Sequence, residues 1–130
     1  MSMKVISLKE PFATLIKDKD KHIETRSWKT TYRGEIYIHA SLSCENLKGR
    51  EELISLVGNR KLNNGYIICK CKLVDCIYMT QEYVDNIKKN NYKEYLCGNY
   101  SVGRYAWVLE DIKPLSNKIE VKGHLGIWNY

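Results

Sequence analysis

Proline is nearly absent from this 130-residue chain, with two in total, phenylalanine occurs once, and long apolar runs are missing altogether. No stretch approaches the ~20 consecutive apolar residues of a membrane-spanning helix, which argues against a membrane protein of that kind. Lys4, Lys9 and Glu10 stand where a secretory leader would carry its apolar run, so the expected location is cytoplasmic, with reduced thiols. The five cysteines, Cys44, Cys69, Cys71, Cys76 and Cys97, contain no C-x-x-C pair and face no matching histidine set. An odd, scattered set of thiols is neither a disulfide framework nor a zinc site; no metal and no cofactor is expected. Acidic residues are the scarcer charge: fifteen Asp and Glu against twenty-one Lys and Arg leave a formal net charge of +6. That excess favours polyanions if it is gathered on one face.

What is present is the balance of an ordinary folded domain, 44% hydrophobic and 28% charged with no low-complexity segment. One domain over residues 1–130 is expected, monomeric, burying roughly two thirds of the surface of its unfolded chain. Met3–Leu8 reads as a first strand, and Pro11 opens a helix to Asp18 with Phe12, Leu15 and Ile16 on one stripe. Lys21–Arg26 reads as extended, and Glu35–Ala40 as a strand burying Ile36, Ile38 and Ala40. A helix is predicted over Glu45–Val57, stopped by Gly58. Tyr66–Tyr78 is longer than a typical strand, which predicts a bent or bulged one. Thr80 caps a second helix through Lys89, a loop with a short helical turn at Tyr92–Leu96 follows, and Tyr105–Leu109 and Ile119–Lys122 close the strands. The fold class is α+β, built on a small barrel of five to six strands flanked by short helices.

The chemistry concentrates in K-H-I-E-T-R-S-W, Lys21–Trp28, followed by Y-R-G at Tyr32–Gly34 and I-H-A-S at Ile38–Ser41. Strand alternation puts His22, Glu24 and Arg26 on one face and Lys21, Ile23 and Thr25 on the other. A carboxylate can accept from an exocyclic amine, an indole can stack a base, and guanidinium groups grip phosphate. Lys21, Glu24, Arg26, Trp28, Arg33 and His39 therefore suit nucleotide recognition. The blander alternatives are a Glu24–Arg26 pair on a solvated strand face, Trp28 as a barrel plug, and His39 as a hydrogen-bonded structural histidine. Gly98–Gly103 lacks the Lys and Ser/Thr of a phosphate loop, Cys69 and Cys71 read as buried thiols, and Lys88, Lys89 and Lys93 as a solvated helix end.

The order S-L-K-E-P-F-A-T-L-I, K-x-I-E-T-R-S-W, Y-R-G-E-I-Y-I-H-A-S, then G-R-Y-A-W-V-L at Gly103–Leu109 and G-H-L-G-I-W-N at Gly123–Asn129, resembles the ASCH family. Only about 80–99 has no recognisable counterpart. The resemblance implies a PUA-like barrel whose E-T-R and H-A-S strands border a cleft for RNA or a modified nucleoside. It implies cleft positions for Lys21, Glu24, Arg26 and His39, with Ser41 beside them and Trp28, Arg104 and Tyr105 at the rim; Arg33 and Gly34 shape the turn into the strand. One family branch resembles an amidohydrolase of N4-acetylcytidine that uses a lysine and a threonine three residues on. Lys21 matches the lysine, but Glu24 stands at the threonine position. An enzyme here would use Glu24 as general base with Lys21 or Arg26 steadying the oxyanion, or cleave RNA without metal through His39. The leading expectation is a module binding RNA, a modified nucleoside or single-stranded nucleic acid generally. A protein-interaction role in transcription or translation control is the third reading.

Overall fold

A computed structural model describes residues 3–130; the first two residues of the predicted single domain lie outside the described residues. Six strands and four helices run in the order β1 (Lys4–Glu10), α1 (Phe12–Lys17), β2 (Ile23–Arg26), β3 (Gly34–Cys44), α2 (Glu51–Val57), β4 (Tyr66–Tyr78), α3 (Gln81–Asn90), α4 (Tyr92–Leu96), β5 (Tyr105–Glu120) and β6 (Ile127–Asn129). The strands form one sheet in the order β2-β5-β4-β3-β1-β6, antiparallel except for the β1–β3 pair. Apolar side chains from β1, β3, β4 and β5 make the main core, which Ala13 and Ile16 of α1 cover.

The long central strands bend because their ladder slips. Between β4 and β5 the register shifts at Ile67/Cys69, Lys70/Lys72 and Leu73/Asp75, and each added residue bends the strand and tightens its twist. The curl brings edge strand β2 round until Arg26 Nη2 donates to the Ser7 carbonyl of β1 at 2.8 Å. A side chain makes that bridge; no backbone ladder joins β2 to β6 among the described residues, so the sheet is open where a closed barrel was expected.

Two further expectations are corrected. Residues 45–50 are not helical: Asn46 Oδ1 accepts from the Lys48 amide at 3.0 Å and Gly49 takes φ +83°, so the helix starts only at Glu51. Tyr105–Leu109 and the Ile119 stretch belong to one strand, β5, which passes through Asp111 at φ +54° without breaking from β4. The predicted cap holds, with Thr80 Oγ1 accepting from the Tyr83 amide at 3.1 Å. Cys69 and Cys71 are buried, and burial pushes both thiols up, that of Cys71 to about 12, which keeps them unreactive.

Candidate functional site

Beside the gap between β2 and β1 lies a cleft of about 700 Å³, lined from β1, β2 and β3 and from the loops before and after β5. This is within the ~300–1,000 Å³ typical of ligand sites. Lys21, 1% exposed, stands at its floor. Strict alternation would put Lys21 on the face opposite Glu24, but the strand does not extend back to it. Leu15 O accepts from both the Asp20 and Lys21 amides at the end of α1, so the chain is still turning there. Lys21 Nζ donates to the carbonyls of Ile23 at 2.6 Å and Cys97 at 2.5 Å and lies 3.6 Å from Glu24 Oε1. On the other side of that carboxylate, Arg26 Nε is 3.0 Å from Oε2 but lacks hydrogen-bond alignment, so their attraction is mainly Coulombic. The Glu24 side chain, 13% exposed, thus presents its remaining lone pairs between two cations.

Residues 94–99 hold this floor in place. Glu94 of α4 is buried and accepts from the amides of His22 at 2.8 Å and Ile23 at 3.1 Å. The half-exposed His22 ring lies 3.4 Å from Glu94 rather than alongside Glu24, a second departure from simple alternation. Thr25 Oγ1 accepts from the Asn99 amide at 3.0 Å, and Arg50 Nη2 donates to the carbonyls of Leu96 and Gly98. Residues 94–99 are therefore tied to β2 and α2 by polar bonds at nearly every position.

His39 closes the opposite wall as a structural group. Its Nδ1 is 2.9 Å from Ser7 Oγ and its Nε2 is 2.8 Å from Val121 O, while Trp128 Nε1 donates to the same Ser7 oxygen at 3.1 Å. Because a carbonyl can only accept, Nε2 carries the proton and Nδ1 accepts from the serine hydroxyl. Gly123 packs so close that a Cβ there would sit 2.7 Å from both His39 Cε1 and Ser7 Oγ, which is why this position has no side chain. Burial lowers the His39 pKa; the Val121 bond opposes that shift and His124 adds to it. The unfolded chain therefore takes up this proton first. The contribution to stability is complete above the ordinary value of 6.5 and is lost as pH falls below it. Thermal midpoints measured between pH 7 and pH 5 should fall, and fall less in His39→Gln; an unchanged slope would mean other groups carry the dependence.

Trp28, 38% exposed, stands at the rim with its ring edge-on to Trp107 at 4.7 Å. Ser41 and Arg104 also line the cleft, Arg104 anchored to the carbonyls of Asn99 and Thr25. Two predicted site residues lie elsewhere. Arg33 donates to the carbonyls of Thr30 and Tyr32 and faces Asp75 at 3.9 Å, holding the turn into β3. Tyr105, the partner of Arg26 across the β2–β5 ladder, packs edge-on to Tyr78 and against the main core and does not line the cleft. Sequence reasoning missed Lys9, Arg50 and Lys122, which line the cleft from three separate segments. Lys9 lies within the S-L-K-E-P-F motif without standing out there, Lys122 lies just outside G-H-L-G-I-W-N, and for Arg50 the only signal was a cation at the start of an apolar stripe. With Lys21, Arg26 and Arg104 they make six cations around two carboxylates, Glu24 and Glu45.

A family model described as ASCH domain matches residues 6–118. No curated protein matches the chain. Among solved structures, the ASCH protein of Zymomonas mobilis is 19% identical with a TM-score of 0.59, the match covering 92% of this chain and 73% of that one. A point mutant of that protein, also 19% identical, gives 0.57 over 93% of this chain and 77% of its own. At such identity the structural likeness speaks to fold alone, while the family match spans most of the sequence and includes both the E-T-R strand and the H-A-S strand: this chain belongs to the ASCH domain family.

Proposed function

We propose that the cleft binds RNA or a nucleoside, with a base edge against Glu24, phosphate or sugar oxygens against the surrounding cations, and Trp28 as a stacking plane at the mouth. The observation that carries this reading is the Glu24 carboxylate, held between Lys21 and Arg26 in a cleft lined by six cations. Cations draw in the ligand irrespective of base, while the carboxylate discriminates by accepting from an amine. Cytidine offers an N4 amine where uridine offers a carbonyl. Cytidine should therefore bind about tenfold better than uridine, a difference within the ~1–3 kcal/mol of a good base contact. In Glu24→Gln, whose amide can also donate, calorimetry should find the preference gone. A wild-type protein that binds both equally would remove Glu24 from recognition.

Binding is favoured over a hydrolase that would work through Lys21, Thr25 or His39, because those three groups are already committed. Lys21 donates to two carbonyls, Thr25 Oγ1 holds the Asn99 amide, and both His39 nitrogens are bonded. Mass spectrometry of N4-acetylcytidine and a short RNA pool after incubation with the protein tests this directly. Deacetylated or cleaved product that disappears in Glu24→Gln would replace the binding reading with an amidohydrolase or ribonuclease.

A further inference from the structure

At the mouth of the cleft two large aliphatic side chains stand in water, Leu125 at 98% and Leu42 at 82% exposed. Leu42 lies near the end of β3, and Leu125 sits in the loop after β5, between Gly123 and Gly126, the latter at φ +66°. Neither belongs to a core cluster. Scattered apolar side chains on a surface need no explanation, but two on the rim of one charged cleft form a surface that gains by being covered.

The floor restricts what can cover them. Glu24 is recessed, so a base reaching it must have its Watson–Crick edge free and must leave any helical stack. A lone nucleoside would satisfy that floor and leave both leucines bare. Lys122, on the same loop as Leu125 and lining the same cleft, supplies a cation that a phosphate joining two nucleotides could meet. Resting on the reading that the cleft takes RNA or a nucleoside, we propose that its occupant is an unpaired RNA segment. One base enters to Glu24, and a neighbouring base packs against Leu42 and Leu125, which take the place of the lost stacking partner. Apolar side chains inserted beside a displaced base serve this purpose in nucleic-acid complexes generally.

The test compares cytidine 5′-monophosphate with the labelled pentaribonucleotide AACAA, by anisotropy and competition at fixed salt, in the wild-type protein and in Leu42→Ser/Leu125→Ser. Both positions are outside the core, so the double variant should fold normally, which an unchanged thermal midpoint verifies. The pentamer should bind at least about tenfold tighter than the mononucleotide, and the double variant should lose most of that gain while keeping its mononucleotide affinity. The same cytidine paired within a hairpin stem should bind no better than the mononucleotide. A gain that survives in the double variant, or a paired base that binds equally well, overturns the proposal. So does a double variant whose only change is reduced self-association in light scattering, which would make the leucines a contact between copies. Failure of both mononucleotide and pentamer to bind would instead overturn the nucleotide reading on which this rests.

Discussion

Lys21→Met is expected to lower stability by about 3 kcal/mol, at the low end of the ~3–5 kcal/mol seen when one member of a buried ion pair is removed. Methionine keeps most of the buried volume, so the loss reports the ammonium group. Without it the Ile23 and Cys97 carbonyls lose their donor and Glu24 loses one of two neighbouring cations. The low end applies because Arg26 remains beside Glu24. For a domain of this size the midpoint should drop by roughly 10 °C. Urea unfolding measures the change, and a loss below about 1 kcal/mol, the net worth of one ordinary hydrogen bond, would contradict the bonding described here. A consequence for function follows: a Lys21 variant that fails to bind or turn over a substrate must first be shown to be folded, since the same ammonium joins β2 to the loop after α4.

Glu94→Ala should cost about as much, by a different route. Two amides, the buried one of Ile23 and the part-buried one of His22, would lose their acceptor, at up to ~1–3 kcal/mol for each unsatisfied group. The effect should be local before it is global. Hydrogen exchange at these two amides should accelerate more than in the β3–β4 ladder, because opening the start of β2 no longer breaks a charged bond. Since Lys21 and Glu24 flank the released segment, selectivity between cytidine and uridine should weaken in the folded variant. Glu94→Gln retains one acceptor oxygen and should fall between wild type and alanine. Equal exchange in all three proteins would show that α4 does not hold β2.

These two side chains also mark how far the sequence could be read. Lys21, Glu24 and Arg26 announce themselves by lying within six residues of one another in the sequence. Glu94 carries no such mark: it sits in a short helix among ordinary polar residues and matters only because α4 folds back onto β2. The same holds for Arg50 and Lys122, cations in segments far apart along the chain. Arg33 and Tyr105 show the converse, residues in informative motifs whose side chains are taken up elsewhere, by the turn into β3 and by Tyr78 and the main core. His39 was legible as a candidate structural histidine on the polar face of its strand, and a ring 1% exposed needs both nitrogens bonded, as they are.

Local chemistry therefore determined the elements: the Thr80 cap, the helix opening after Pro11, the overlong Tyr66–Tyr78 strand and the E-T-R segment follow from hydrogen-bonding capacity and side-chain periodicity, which act over a few residues. Composition set the net basic charge. What only the tertiary structure decided was the slip of β4 against β5, the open edge bridged by Arg26, the reach of Lys21 to Glu24 and the gathering of six cations around one cleft. Those depend on the register between strands and on where distant loops come to rest. Backbone pairing and core packing fix both together, and no short window of the sequence contains either.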